Sequence, residues 1–293
     1  MKKENLPLVS IGIPVFNGDI KKNPYSTDIT KSLTSILNQS YKNIEIIISD
    51  NASTDNTPNI IKKLCSSDQR IKYYRQPNII TPDENFNFVL EKSNGKYFKW
   101  NSHDDFISHD FIEKNIELLE KNEKFVFSSS PSCFDYEFNV KKNNLKFDFN
   151  LNLYERIKYF YKIRSYCHSM FYGLIRKKNL ENRTDITKCY FAMDWIIILE
   201  LLFQGRFQTI DDGYIIIGST GVSTTKAHLD NPMYHKKKIY YFMPYFELNL
   251  VCIKKTFQSK KISFLKKLYL TYISLRLNIL YFIYYKLGKR KKN

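Results

Sequence analysis

The sequence predicts an α/β fold with a mostly parallel central sheet. Short apolar runs alternate with amphipathic segments through the first half of the chain, which is the order of strands and helices in parallel sheets. Turn signals such as Asn17-Gly18 and Asn94-Gly95 separate the segments. Polar residues directly follow several of the apolar runs, and ligands of such folds bind at the carboxyl ends of the strands.

The predicted strands are short runs rich in β-branched and aromatic residues. The run at residues 8–16 comes first, and the run at 44–49 directly precedes the polar segment 50–55. The run at 96–100 leads into Asp104-Asp105. Further strands are predicted at residues 71–74, 125–127 and 214–217, and another within residues 169–175.

The predicted helices lie between these strands and carry apolar residues at helical spacing. Residues 29–39 place Ile29, Leu33 and Ile36 on one face. The helix at about residues 57–64 follows polar side chains that suit a helix N-cap. Further helices are predicted at about residues 84–93, 109–121, 154–163 and 193–203, whereas residues 134–153 have no clean period.

The composition is typical of a globular protein with a full core. Hydrophobic residues make up 43% of the 293 residues and aromatic residues 16%, which excludes disordered and fibrous proteins. The five cysteines include no C-x-x-C pair, so we predict a reducing cytoplasm and neither a disulfide framework nor a zinc site. Pro7, Gly12 and Pro14 interrupt the first apolar stretch, so no secretion signal is expected.

Three acidic groups follow predicted strands or open a helix: Asp50, the pair Asp104-Asp105, and Asp194. Hard carboxylate oxygens suit Mg²⁺ or Mn²⁺, which can neutralise a leaving nucleoside diphosphate. A carboxylate can also accept a proton from an incoming hydroxyl. Each group has a plainer interpretation, because Asp is common in turns and at helix N-caps, and Asp55 is assigned to such a role.

The order of these motifs resembles that of family 2 glycosyltransferases over about residues 8–225. The resemblance implies a GT-A type fold, which is a Rossmann-like, mostly parallel sheet flanked by helices, here with a C-terminal helical extension. The first two matching stretches appear in the family's order and spacing. The four stretches are VSIGIPVFNG (9–18), SLTSILNQSYKNIEIIISDNASTDNT (32–57), NFNFVLEKSNGKYFKWNSHDDF (85–106) and FAMDW (191–195).

The resemblance implies a nucleotide-sugar site at the strand ends. Pro14, Val15 and Phe16 match the end of the first strand, where the family packs backbone and an aromatic side chain around the nucleotide base. Asp50 matches the carboxylate that hydrogen-bonds the base, typically uracil. Asp104 matches the residue that contacts the ribose. Without the resemblance, Phe16 would suit the core equally well.

The resemblance also implies the reacting groups. Asp105 matches the ligand of the divalent cation, Mn²⁺ or Mg²⁺, that bridges the diphosphate. Asp194 matches the general base, and its plainer interpretation is the N-cap of a buried helix. His103 is assigned to the loop. In one departure, Ser219 stands where many relatives carry a His in an H-x-G-x-S stretch.

These matches imply an inverting, hexosyltransferase-type reaction. A sugar would pass from a UDP-sugar to a hydroxyl of a glycan or lipid-linked glycan, in the biosynthesis of a bacterial capsule or lipopolysaccharide. Two alternatives stay open. A nucleotidyltransferase has a similar fold but needs a Gly-rich, Arg-containing loop after the first strand, where this chain has residues 14–18. A catalytically degenerate glycan-binding scaffold is consistent with Ser219.

The segment 226–293 differs from the rest in charge, which predicts a boundary between a catalytic domain at 1–225 and a helical extension at 226–293. The extension holds 16 Lys and Arg against two acidic residues, so it carries +14 of the chain's formal charge of +17. Within residues 265–287 the polar side chains form a narrow stripe on an otherwise apolar helix. The stripe consists of Lys267, Thr271, Ser274 and Asn278.

We expect this helix and the basic end at 286–292 to lie on the anionic inner face of the cell membrane, as parts of a peripheral protein. Charges interrupt the apolar surface, so no run is long enough to span a bilayer. The alternative is packing on the catalytic domain or on another subunit of a homo-oligomer. The basic residues accompany no RNA-binding motif, so no nucleic-acid partner is expected.

Overall fold

A seven-stranded sheet forms the centre of the protein, in the order β3-β2-β1-β4-β8-β6-β9. The computed structural model describes residues 6–19, 28–135, 147–164, 168–188, 191–218 and 243–283. All neighbouring strands are parallel except β8, which is antiparallel to both β4 and β6. The strands are β1 Val9–Val15, β2 Ile44–Asp50, β3 Ile71–Arg75, β4 Tyr97–Trp100, β5 Phe106–Ile107, β6 Phe125–Ser129, β7 Ser132–Phe134, β8 Leu174–Arg176, β9 Arg206–Thr209 and β10 Ile215–Ile217.

Helices cover both faces of this sheet, which is why β1 and β2 are buried along their whole length. Alternate residues of β1, such as Ile11 and Ile13, pack with α1, α2 and α4. Phe98 and Trp100 of β4 face the other layer. The helices are α1 Ile29–Leu37, α2 Thr57–Ser67, α3 Pro82–Glu91, α4 Phe111–Lys121, α5 Leu153–Ile163, α6 His168–Phe171, α7 Met193–Gln204, α8 Phe246–Gln258 and α9 Phe264–Tyr281.

The register brings the carboxyl ends of three neighbouring strands to one edge. Val15 of β1 lies opposite Asp50 of β2, and Gly12 of β1 lies opposite Trp100 of β4. Gly12 is required by packing, because a Cβ there would come 2.7 Å from Val89 of α3 and 2.8 Å from Phe98. The loops after β1, β2 and β4 therefore share one end of the sheet.

A second, three-stranded sheet lies next to this edge. Strand β10 pairs antiparallel with β5 and parallel with β7. Because β5 directly follows Asp104-Asp105 and β10 directly precedes Gly218, the pairing carries Gly218 to the acidic pair.

The predicted strands and helices are confirmed at most positions, with differences of a few residues at the ends. The strand predicted within 169–175 is wrong in its first part, since α6 occupies His168–Phe171 and only Leu174–Arg176 is extended. Helix α3 begins earlier than predicted because Thr81 and Glu84 form a capping box around Pro82. The two- to four-residue strands β5, β7 and β9 were not predicted, because such short runs have no period.

The C-terminal helices share a core with the rest of the protein. Leu248 and Cys252 of α8, and Leu270 and Leu277 of α9, belong to the same buried cluster as Trp100. The predicted boundary between residues 225 and 226 lies outside the described residues. Among the helices that the structure describes, none is long and apolar enough to cross a bilayer.

The polar stripe of α9 faces the protein. Ser274 is fully buried and Asn278 is 4% exposed, whereas Leu265 is 77% exposed. The Tyr161 hydroxyl of α5 donates to the Ser274 hydroxyl at 2.9 Å, and the Tyr245 amide donates to the Asn278 side chain at 3.0 Å. One face of this helix therefore packs on α5 and α8, whereas the apolar side chains on its other face, such as Leu265, are exposed.

Candidate functional site

The loops after β1 and β2 are held together by hydrogen bonds. The Asn51 amide donates to the Val15 carbonyl at 2.8 Å, and the Asn17 amide donates to the Ser53 hydroxyl at 2.9 Å. In return, Asn17 accepts a hydrogen bond from the Thr54 amide at 2.9 Å. Asn17 has a φ of 49°, a left-handed conformation that Asn tolerates better than most residues. The strand ends therefore form a defined rim.

Phe16 lies on this rim and is 44% exposed. Pro14 and Val15 are buried in β1, opposite Ser49 and Asp50 of β2. The interpretation of Phe16 as a core residue is therefore wrong, and its ring is open to a ligand. Asp55 accepts hydrogen bonds from the amides of Thr57 and Asp19, which confirms its role in the loop.

Asp50 is fully buried and held by three donors. Its Oδ2 accepts hydrogen bonds from the Tyr73 hydroxyl and the Arg75 guanidinium, both at 2.7 Å. Its Oδ1 accepts one from the Ser53 amide at 2.8 Å. A carboxylate oxygen can accept two hydrogen bonds, so Oδ1 keeps the capacity for a further donor.

Asp104 and Asp105 lie in the loop after β4 and are each 1% exposed. The Ser102 hydroxyl donates to Asp104 at 2.5 Å, and the Gly218 amide donates to Asp105 at 3.0 Å. Gly218 also lies against Asp104, because a Cβ on Gly218 would come 2.5 Å from the Asp104 carbonyl oxygen and closer still to its carboxylate. His103 of the same loop contacts the rim, since a Cβ on Gly18 would lie 3.1 Å from its ring.

A buried lysine accompanies the pair. Lys99 of β4 is fully buried, and its ammonium donates to the carbonyls of Trp100 at 2.9 Å and Tyr172 at 2.7 Å. Burial lowers the pKa of Lys99, and the charge of Asp105 opposes that shift. Burial likewise raises the pKa of Asp105, and the adjacent Asp104 carboxylate raises it further. A cation at this place would stabilise both carboxylates in their charged form.

Tyr172 lies within the electrostatic influence of both the pair and Asp194. Burial raises the pKa of Tyr172 well above its ordinary value, and the negative charges of Asp105, Asp104 and Asp194 raise it further. Asp194 itself is half-buried in the first turn of α7. The N-cap of α7 is Ala192, in a left-handed conformation with a φ of 61°, so the interpretation of Asp194 as an N-cap is wrong.

Residues 10–183 match the sequence model of the family described as "Glycosyl transferase family 2". The chain belongs to this family. The match covers more than half of the chain and includes Pro14, Asp50 and the Asp104-Asp105 pair. Asp194 lies beyond the matched residues, so its role as the base stays a prediction.

Curated relatives of this glycosyl transferase family 2 chain align over less than half of its length. An uncharacterized glycosyltransferase of Haemophilus influenzae is 35% identical over 138 residues, which are 47% of this chain and 52% of the relative. A Campylobacter jejuni GalNAc(5)-diNAcBac-PP-undecaprenol beta-1,3-glucosyltransferase is 29% identical over 139 residues, which are 47% of this chain and 42% of the relative. The chain therefore spans about half the length of these relatives.

Solved structures confirm the predicted GT-A type α/β fold. S. aureus TarS 1-349 has a TM-score of 0.65 at 14% identity, covering 95% of this chain and 73% of that one. Its complex with UDP-GlcNAc has a TM-score of 0.61 at 15% identity, covering 90% and 70%. The mannosyltransferase PcManGT from Pyrobaculum calidifontis, in complex with GDP-Man and Mn²⁺, has a TM-score of 0.57 at 15% identity, covering 94% and 70%.

The acidic pair fits a divalent cation that is shared with a diphosphate. Within the described parts of the chain, no three His, Cys, Asp or Glu side chains cluster as a complete metal centre. Mg²⁺ and similar cations are often held by one or two carboxylates together with substrate phosphates, and Asp104 and Asp105 supply that number. Asn101 adds a buried amide oxygen, Oδ1, which lacks a hydrogen-bond partner among the described residues.

Three residues of this site were not predicted from the sequence. Lys99 is the one basic residue in the strand Tyr97–Trp100, and a lone lysine in a buried strand is a signal that could have indicated it. Tyr172 and Gly218 gave no such signal. They approach the pair only because β8 pairs with β4 and β10 pairs with β5. Ser219, which stands at the position of the family's His, lies outside the described residues.

Proposed function

We propose that this chain transfers a sugar from a nucleoside diphosphate donor, with UDP-sugars as the expected class, to a hydroxyl of a glycan acceptor. The observation that carries the proposal is the buried Asp104-Asp105 pair at the carboxyl end of β4, held by the Ser102 hydroxyl and the Gly218 amide. The same sheet edge holds Asp50 and the exposed ring of Phe16. The TarS complex with UDP-GlcNAc, a structural neighbour, supports the donor class.

Each donor-site residue contributes one contact to the proposed complex. Phe16 stacks against the base, and Asp50 accepts a hydrogen bond from it through Oδ1. The Tyr73 and Arg75 side chains keep the Asp50 carboxylate in place for this contact. Asp104, positioned by Ser102 and by the absence of a side chain at Gly218, contacts the ribose.

Asp105 would hold Mn²⁺ or Mg²⁺ together with the diphosphate oxygens. When bound, the cation supplies charge neutralisation for the leaving diphosphate. The Gly218 amide orients Asp105, and the charge of the buried Lys99 acts on the Asp105 carboxylate. The Mn²⁺ complex of PcManGT supports this assignment.

Asp194 acts as the general base of the proposed reaction. Its carboxylate accepts the proton of the acceptor hydroxyl, whose oxygen forms a bond to the anomeric carbon. The bond from that carbon to the diphosphate oxygen breaks at the same time, and its electron pair leaves with the diphosphate. One displacement of this kind inverts the configuration at the anomeric carbon. It needs no protein nucleophile.

We also propose that the acceptor is a lipid-linked glycan in bacterial cell-surface polysaccharide biosynthesis. The Campylobacter jejuni relative, whose name specifies an undecaprenol-linked glycan, supports this class. Sugar transfer to such an acceptor would take place at the inner face of the membrane. The protein is therefore proposed to be cytoplasmic and peripheral.

The decisive experiment is calorimetric titration with UDP, with and without Mn²⁺. We expect binding that strengthens at least tenfold with Mn²⁺, and a loss of that enhancement in Asp105→Ala. Glu117→Ala, on the exposed side of α4, is the matched control and should behave as the wild type. Absence of UDP binding under both conditions would indicate the degenerate scaffold and refute the transferase proposal.

A further inference from the structure

Helix α9 presents an apolar face to the outside of the protein. The exposed apolar side chains continue from the start of the helix into the turn after it. They recur every three or four residues, so they form one strip along the helix. Their exposed fractions are 65% for Phe264, 77% for Leu265, 46% for Leu268, 42% for Tyr269, 57% for Tyr272, 38% for Leu275, 56% for Ile279, 39% for Phe282 and 47% for Ile283.

The opposite face of α9 packs on the protein through the buried Leu270 and Leu277 and through polar groups that the protein satisfies. Ser274 Oγ lies 2.7 Å from the side-chain amide of Asn249 in α8 and accepts the Tyr161 hydroxyl. The Lys267 ammonium donates to the Phe257 carbonyl at 3.0 Å. A helix on the surface of a water-soluble domain normally has one apolar stripe, toward the core, and a polar face toward solvent, whereas α9 carries a second apolar strip on its outer side. The outward apolar face of α9 therefore needs a covering that the described residues do not supply.

The charged side chains of α9 and of the loop before it are all positive. Residues 248–293 contain twelve Lys and Arg and no Asp or Glu. Lys266 and Arg276 are exposed on α9 itself, and Lys260 and Lys261 are exposed in the loop that precedes it. An occupant of this face must therefore present apolar groups to the strip and negative charge to its margins.

A second copy of this chain does not meet that requirement. The spacing of the strip suits helix pairing, but pairing two such helices would bring two cationic, acid-free segments together and leave their charges unpaired. A bilayer with anionic headgroups meets both conditions. Tyrosines such as Tyr269 and Tyr272 are also common at the depth where headgroups meet acyl chains.

We propose that α9 lies flat on a bilayer that contains anionic phospholipid, with the exposed strip in the acyl boundary and Lys266 and Arg276 at the phosphates. In this orientation the face with the polar stripe contacts the protein and the exposed apolar strip contacts the lipid. The proposal rests on the peripheral location proposed above but not on the transfer chemistry, so each can fail alone.

The test is cosedimentation of the full chain with two kinds of vesicle, phosphatidylcholine alone and phosphatidylcholine with phosphatidylglycerol. We expect binding to the anionic vesicles that weakens as salt rises. Replacing Leu265, Leu268 and Ile279 together with serine should lower the partition coefficient at least 100-fold. Replacing Lys266 and Arg276 with glutamine should lower it roughly 30-fold, and only on anionic vesicles.

Matched controls distinguish the loss of lipid contact from the general effect of removing exposed apolar or charged side chains. Ile79→Ser removes an apolar side chain that is 63% exposed but lies before α3, and Lys62→Gln with Lys63→Gln removes two exposed charges from α2. Both controls should bind vesicles as the wild type does. The strip variants should keep their melting temperature and UDP affinity, because the replaced side chains point away from the core.

Three results would overturn the proposal. The first is equal binding of both vesicle types, and the second is no binding of either. The third is a dimer in light scattering without lipid that the strip variant converts to a monomer, which would assign the face to a second copy. A wild-type protein that binds anionic vesicles but does not bind UDP would refute only the transferase proposal.

Discussion

Replacing Gly218 with alanine tests whether the three-stranded sheet positions the acidic pair. The added Cβ would lie 2.5 Å from the Asp104 carbonyl oxygen and closer to the Asp104 carboxylate. The amide of the same residue donates a hydrogen bond to Asp105. Ordinary contact at such a Cβ begins at 3.4 Å, so Asp104 or the Gly218 backbone must move by about 1 Å.

A displacement of about 1 Å in a positioned group costs roughly 100-fold in catalytic efficiency. That factor corresponds to about 2.7 kcal/mol of lost transition-state stabilisation. We therefore expect kcat/KM of Gly218→Ala to fall roughly 100-fold. The Mn²⁺-dependent part of UDP binding should weaken in the same variant, because Asp104 and Asp105 both contact Gly218.

The assay is the release of UDP from the nucleotide sugar that the wild type uses best, together with calorimetry of UDP with Mn²⁺. Gly205→Ala is the matched control, because its Cβ would lie 3.0 Å from the Lys124 carbonyl oxygen and closer to Val126. Gly205 precedes β9 at the amino ends of the parallel strands, whereas the acidic pair follows β4 at their carboxyl ends. Overpacking of this kind costs about 1–3 kcal/mol in stability. Gly205→Ala should therefore melt earlier but keep its activity per folded molecule.

A kcat/KM of Gly218→Ala within about threefold of the wild type, together with the expected loss of stability in Gly205→Ala, would refute the positioning of Asp104 by Gly218. That pair of results would mean that the Gly218 segment yields without moving Asp104. Equal losses of activity in both variants would show that the effect is one of folding and not of position.

Asp105→Ala should reduce transfer by orders of magnitude, measured as UDP release with Mn²⁺, and near-normal turnover would falsify the metal assignment. Asp194→Asn cannot accept a proton at neutral pH, so kcat should fall about 100-fold while calorimetry still detects UDP; lost UDP affinity would contradict a base role. Burial acts to raise the pKa of Glu45, but hydrogen bonds from Lys72, Ser10 and Asn94 outweigh it, so the pKa in the fold is lowered. The stabilisation by the charged Glu45 carboxylate is present above the unfolded pKa and is lost as pH falls through the folded pKa. Glu45→Gln should therefore lower the unfolding free energy by about 2 kcal/mol at pH 7 and by much less in acid. A loss that does not depend on pH would disprove this linkage.

Much of the core architecture follows from local sequence pattern. Strand β2 is a nearly continuous apolar run, and α1 repeats its apolar residues at helical spacing. Both can therefore be predicted from local sequence, without knowledge of the elements on which they pack. The two-residue strand β5 is different, because it is too short to show a period and is stabilised by pairing with β10, which was predicted. The contact that this pairing makes between Gly218 and the acidic pair could therefore not be predicted from the sequence.

The sequence by itself determined the α/β class, the family, and the polar residues at the strand ends. These depend on periodicity and on neighbouring residues, which act locally. Only the tertiary structure decided that Gly218 contacts Asp104 and Asp105, because those contacts join distant segments. It also decided which face of α9 is outward, since an amphipathic pattern defines two faces and only the groups opposite them, here Tyr161 and Asn249, select the one that is buried.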